Sequence, residues 1–377
     1  MFLIERLIGV GVYCCVLAAV YLLLAASPMK CKTALGFYIL VLSGMAVVYV
    51  PYRTADLYRI FKMMELYAPL DFAAFFARYA LASSAPAGPI LYWLFAKTGC
   101  PRLLPAAVTI LCYSIIFYML LRLQKKFGIS RRNLALVLFF LMSTSVYMSV
   151  IAGIRMMLAM TLVMFCFFRE SVEEKFRWFH VLLYSVALFI HILAGVLLLV
   201  RLLAVVCSKR SRPLARWGAA GLGAVATALF AVCFPKLTID ILDTVWTYLT
   251  EETYSDPWEY LIGVLMGLLF LAVLRRFRRS ARKAVCERLE TFRSAAAISL
   301  LLSLCCCYVF SIFYRLIGHF VPLLMLPVMM AALQEEEETG MNGKLSLHSV
   351  VLLYSCVILM LNCARGSLSA LKFFVLG

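Results

Sequence analysis

The sequence predicts an all-α integral membrane protein, and three observations carry that prediction. Sixty-five per cent of the 377 residues are hydrophobic and only 15% are charged, against about half and about a quarter in ordinary soluble domains. Mean hydropathy is +0.97. The apolar residues gather in runs near 7–26, 34–50, 103–121, 134–168, 178–206, 217–234, 260–274, 295–333 and 347–363. At roughly 20 residues per crossing, these hold about ten transmembrane helices in one polytopic domain, residues 1–377. A soluble enzyme, a disordered chain and a secreted disulfide scaffold are excluded.

The first run, 7–26, is longer than the roughly 7–15 apolar residues of a signal peptide, and it precedes Pro28, Lys30 and Lys32. It is expected to be the first transmembrane helix. The basic residues set the orientation. Lys and Arg number 36 against 19 Asp and Glu. In a polytopic protein such an excess marks cytoplasmic loops and membrane-lipid contacts, so no nucleic-acid partner is expected. The basic segments are Lys30/Lys32, 122–132, Lys209 to Arg216, and a cytoplasmic loop expected at 275–293. The stretch 235–259 has six acidic residues and only Lys236 basic, and is placed outside. Segment 51–100 is placed outside as well. Leu57, Ile60, Phe61 and Met64 form one helical stripe there, and Phe72, Phe75, Phe76 and Tyr79 form another. Both predict amphipathic helices in the membrane interface. Residues 86–97 are too short to cross and are expected to form a re-entrant element.

Three runs exceed a single upright crossing. As helices, 134–168, 178–206 and 295–333 would reach roughly 53, 44 and 59 Å, against an apolar core of about 30 Å. The first and third are read as two spans each. The second is read as a hairpin of two short arms, because only then do all the strongly basic segments fall on the cytoplasmic side. Arg201, near its cytoplasmic end, is expected to snorkel to the headgroups.

Each long run carries an ionisable residue near its middle: Arg155, His191, and Arg315 with His319 one turn later. The topology puts all three middles at outward turns, together with Asp56. Such residues at membrane depth are costly and line pathways or sites. Taken singly, Arg155 and Arg315 could be headgroup anchors, Asp56 a helix-dipole partner, and His191 a packing residue. His180 and His348 receive only the packing reading. Taken jointly, two Arg, a His and an Asp fit a diphosphate held by guanidinium groups, with a carboxylate or imidazole to accept a hydroxyl proton. The 14 Cys residues contain no CxxC pair, and there is no Walker loop, HExxH or DxD pair. No metal and no cofactor is expected.

Several segments resemble the EpsG-like family of polytopic exopolysaccharide and capsule proteins, related in role to Wzy-type polymerases. They are Asp56-Leu57-Tyr58 with Phe61; Pro86 to Phe95, with Leu91-Tyr92-Trp93-Leu94; Gly153-Ile154-Arg155 with Leu158-Ala159; Ala187 to His191; and Tyr314-Arg315 with Phe320 and Pro322. The resemblance runs in order over about 35–330. The sequence departs from it at Ala85, Met156 and Ile192-Leu193. The resemblance implies a GT-C-like or Wzy-like membrane glycosyltransferase in a bacterial cytoplasmic membrane, with its site facing outward. It would polymerise polyprenyl-diphosphate-linked oligosaccharides alongside other polysaccharide-assembly proteins. Asp56, Arg155, His191 and Arg315 would be catalytic, and Arg155, Arg315, His319, Tyr58 and Tyr314 would bind substrate. A flippase for the same lipids, an O-antigen ligase and a membrane O-acyltransferase are the alternatives.

Overall fold

The computed structural model describes residues 2–26, 29–53, 55–207, 256–280, 283–339 and 346–373, with scattered positions between 238 and 250. Among them the chain is helical throughout. The order is α1 (Phe2–Ala26), α2 (Cys31–Val48), α3 (Asp56–Tyr67), α4 (Phe72–Phe75) running into a π turn (Phe76–Ala80), α5 (Ala87–Ala96), α6 (Leu103–Phe127), α7 (Arg131–Ser143), α8 (Val146–Ala152), α9 (Ile154–Ser171), α10 (Trp178–Ile190) and α11 (Leu193–Cys207). After the partly described segment come α12 (Pro257–Ser280), α13 (Lys283–Cys305) and α14 (Phe310–Arg315). A second π turn (Leu316–Phe320) then leads into α15 (Val321–Thr339), followed by α16 (Leu347–Ala364). Six helices are long and apolar enough to cross a membrane, or seven if α7 and α8, bent by 56°, form one span. This is an α-helical, multi-pass membrane protein. The apolar run 217–234 and most of the acidic stretch 235–259 lie outside the described residues.

Local chemistry explains the boundaries. Helix α6 stops at Gly128, whose φ of 64° is left-handed and suits glycine. Two residues later Ser130 caps α7 by accepting from the Asn133 N–H at 3.3 Å. The run 134–168 divides at Thr144-Ser145 and again at Gly153. The carbonyls freed at the first break find donors: Tyr13 Oη reaches the Met142 carbonyl at 2.6 Å and Asn362 Nδ2 the Ser143 carbonyl at 3.0 Å.

Pairings across the bundle separate the helix ends into two faces. At one face Arg131 donates to the Leu24 carbonyl (3.2 Å), Asn133 to Gln334 (3.1 Å), and Arg276 approaches Glu336 (4.0 Å). At the other the Val50 N–H donates to the Lys372 carbonyl (2.7 Å) and Tyr260 Oη to the Cys307 carbonyl (2.8 Å). The breaks beside Arg155 and His191 belong to this second face; the run 295–333 turns there at 306–309, so Arg315 and His319, expected at the turn itself, lie within the continuing helix after it.

The run 178–206 is a hairpin. Arg201 lies over the Tyr184 ring at 5.2 Å, seventeen residues away in sequence; a continuous helix would hold them about 25 Å apart. Arg201 does not snorkel: its guanidinium is held by the Glu170 carboxylate and by that ring. Two further expectations need correction. The stretch 275–293 is not a loop, since α12 continues to Ser280 and α13 starts at Lys283. The α3 stripe does not lie on lipid: Leu57, Ile60 and Met64 are at most 4% exposed, because α3 packs against α5 and α8. Helix α5 is tied to the same layer by Trp93 Nε1 on the Leu70 carbonyl (3.1 Å) and Lys97 Nζ on the Ala68 carbonyl (2.7 Å).

Candidate functional site

A cleft of about 180 Å3 opens on the second face, between the start of α3, the α8–α9 break and the tip of the α10–α11 hairpin. Asp56, Arg59, Arg155 and His191 line it, with Met63 and Met156 as apolar wall. Three residues remote in sequence thus meet because each sits at a helix boundary. Asp56 is the first residue of α3, where a carboxylate favours the helix dipole. Arg155 is the second residue of α9, released by the break at Gly153. His191 is the extended residue that ends α10, with φ −157° and ψ 129°.

The His191 ring is oriented by the backbone. Its Nδ1 accepts from the Leu193 N–H at 3.1 Å, so the ring caps α11. An Nδ1 that accepts leaves the proton of the neutral ring on Nε2, which is then a donor. Arg155 and Arg315 both act electrostatically on this ring. Arg315, the last residue of α14, does not line the cleft. Asp56 is largely exposed and is paired with Arg59 at 3.1 Å, one turn along α3. Exposed pairs of this kind contribute little to stability, so the carboxylate is available to a ligand.

Helix α5 shapes the Arg155 side chain. A Cβ at Gly88 would lie 2.8 Å from Arg155 Cδ, so the arginine stem crosses where only a glycine leaves room. One turn on, the buried Tyr92 hydroxyl lies beside Arg155 and has no other hydrogen-bond partner. The Tyr38 and Tyr49 hydroxyls are buried without partners as well, so what distinguishes Tyr92 is its place beside Arg155. Tyr67, close enough for Arg155 to act on it, is packed by Phe75 (5.0 Å) and Tyr79 (4.8 Å), which stiffens this wall.

The remaining sequence candidates fall elsewhere. His319 is buried in the second π turn, where its ring meets Ser145 Oγ (3.1 Å) and Ser149 Oγ (3.1 Å), with Tyr314 edge-on at 4.9 Å. Tyr314 also stacks on Phe310 at 5.7 Å. Tyr58 is half-buried on α3 and does not line the cleft. Arg59, Gly88 and Tyr92 were not named as site residues from the sequence, although Gly88 and Tyr92 lie in the quoted Pro86 to Phe95 segment. Arg59 is legible as the i+3 partner of Asp56, whereas Gly88 and Tyr92 become visible only once α5 is packed on Arg155. His348 bonds to the Asn133 amide and His180 lies 3.6 Å from Glu170, as packing residues would. Among the described residues no three His, Cys, Asp or Glu side chains are arranged to hold a metal ion.

Chemically, the cleft offers guanidinium groups, a neutral imidazole donor and an accessible carboxylate, with the Tyr92 hydroxyl beside Arg155. No family model, no curated protein and no solved structure matches the chain.

Proposed function

We propose that the protein is a membrane glycosyltransferase that joins polyprenyl-diphosphate-linked oligosaccharide repeat units, a Wzy-like polymerase of exopolysaccharide, capsule or O-antigen. One observation carries the reading: Asp56, Arg155 and His191 share a single cleft, and Arg315 is near enough to act on His191. Anion donors and a proton acceptor are what diphosphate displacement by a hydroxyl requires.

In the proposed reaction the acceptor hydroxyl attacks the anomeric carbon of the donor sugar. The bond from that carbon to the diphosphate oxygen breaks, and the lipid diphosphate leaves with the electron pair. Arg155 binds the departing phosphate through its planar fork, and Arg315, near enough to act on His191, adds positive charge. The His191 tautomer favours a second donor to the same oxygens. The hydroxyl proton therefore goes to Asp56, the one acceptor among the cleft's ionised side chains. Arg59, already beside Asp56, holds that carboxylate in place. Tyr92 supplies a further hydroxyl donor.

For the membrane, six long helices, the bent α7–α8 pair, α9 and α13 account for nine of the about ten crossings expected from the apolar runs. The α10–α11 hairpin enters from the cytoplasmic side, and α5 is re-entrant in a GT-C-like arrangement. The cleft then faces out of a bacterial cytoplasmic membrane. The test of function is purified protein with a synthetic lipid-linked repeat unit, read as a ladder of products. A single transfer to a foreign acceptor would indicate a ligase, and no transfer by folded protein would refute the reading. Orientation is tested separately: an impermeant thiol reagent should reach a cysteine placed at Arg59 and miss one placed at Arg279.

A further inference from the structure

A second and larger cleft, about 650 Å3, opens on the opposite face, between the start of α2 and the last turns of α6. Its rim carries Lys30, Lys32, Arg122 and Lys125, and Tyr118 and Leu121 belong to its wall. Arg122 is already engaged, 3.4 Å from Glu173 and 5.2 Å over the Tyr118 ring. The three lysines are exposed and form no ion pair among the described residues. Lys30 is the N-cap of α2 and makes no side-chain cap, so the positive end of that helix adds to the field. Both helices behind the cleft are long and apolar enough to cross a membrane.

An occupant must therefore place negative charge at the rim and hydrocarbon against the wall. A free inorganic anion meets only the first requirement, and a neutral lipid only the second. We infer that this cleft is a binding site for an anionic phospholipid, its phosphate among Lys30, Lys32 and Lys125 and its first methylenes over Tyr118 and Leu121. The general excess of basic residues on cytoplasmic segments would spread lysines along connections; here three uncompensated ammonium groups surround one apolar recess. The inference is independent of the chemistry proposed for the other face.

The test uses the full chain purified in a neutral detergent, with native mass spectrometry to count retained lipid and thermal unfolding to read stabilisation. One phosphatidylglycerol per chain should be retained in preference to phosphatidylcholine, and should raise the unfolding temperature. A basic residue at an anionic surface contributes about fivefold in affinity. Reversing Lys30, Lys32 and Lys125 together to Glu should then weaken retention on the order of a hundredfold or more. Should that triple variant misfold, Lys30→Gln with Lys32→Gln should still lose at least about tenfold. Arg278→Glu with Arg279→Glu, on the exposed end of α12, should retain the lipid as wild type does. Equal retention by wild type and the lysine variants would overturn the site. So would equal loss in the α12 control, which would mean surface charge alone. Inorganic phosphate that stabilised the protein as well as the lipid does would overturn the lipid assignment.

Discussion

The two faces of the bundle treat their ionisable groups in opposite ways. On the basic face, carboxylates are enclosed by partners. Glu173 takes Tyr118 Oη at 2.8 Å, Arg169 at 3.2 Å and Arg122 at 3.4 Å. Glu170 takes Tyr184 Oη at 3.0 Å and Arg201 Nε at 2.8 Å. Glu336 accepts twice from the Leu347 N–H, at 3.0 and 2.8 Å, and so caps α16. On the cleft face, Asp56 has a single exposed pair, the Tyr92 hydroxyl has only Arg155 beside it, and the cleft's basic groups converge on a cavity. A carboxylate enclosed by several donors specifies structure, whereas one left exposed beside a single partner is open to a ligand.

The sharpest way to break this comparison is Arg155→Lys. Lysine keeps the charge and loses the fork. If the guanidinium holds a leaving diphosphate, about 2–4 kcal/mol should be lost, roughly thirty- to a thousand-fold in rate at matched membrane levels. Unchanged activity would make Arg155 a headgroup anchor and remove the difference between the faces. Gly88→Ala comes next. The added methyl must displace the Arg155 stem, and a shift of about 1 Å near the chemistry costs up to about a hundredfold. Product formation should fall at least about tenfold while thermal stability stays near wild type. An equal drop in stability would make Gly88 a packing residue only.

Glu170→Gln tests the other face. It leaves Arg201 without its carboxylate, and about 2–3 kcal/mol of stability should be lost. That lies below the full penalty for a buried pair, because the Arg201 side chain is 26% exposed. Activity per folded molecule should hold. Activity lost without destabilisation would place Glu170 with the site. The smallest expected effect is Tyr92→Phe: a few-fold weaker binding of the lipid diphosphate, about 1 kcal/mol, with stability unchanged. Isothermal titration with a short-chain polyprenyl diphosphate would measure it, and unaltered affinity would return Tyr92 to the packing residues.

Helix-rich membrane character was legible from composition alone, because twenty-residue apolar runs have few other uses. The breaks at Gly153 and His191 were legible too, from the ionisable residues in those long apolar runs; in the third run the same sign misled by a few residues, since the chain turns at 306–309 and Arg315 and His319 lie in the helix that follows. Proximity of Asp56, Arg155 and His191 followed from putting those breaks at one end. What remained hidden depends on packing. The α3 stripe reads equally well as lipid-facing or protein-facing, because both surroundings are apolar. Arg201 reads as an anchor until Glu170, thirty-one residues away, is brought beside it. Gly88 carries no chemistry of its own and matters only through what it lets pass.

The π turn at Leu316–Phe320 has a consequence for how the two faces are phased. An α-helix turns its residues by about 100° each, so in an unbroken helix the direction of Arg315 would dictate that of Gln334 and Glu336, one face bound to the other like teeth on a single shaft. The wider turn works as a slipped tooth. Upstream, α14 sets the direction of Arg315. Downstream, α15 is free to present Gln334 to Asn133 and Glu336 to Leu347. Removing one residue from this turn would leave two good helices and a working hydrophobic seam, but it would twist one set of polar groups about 100° away from its partners. Sequence drift on either face is thereby uncoupled from the other, provided the five residues between them keep their count.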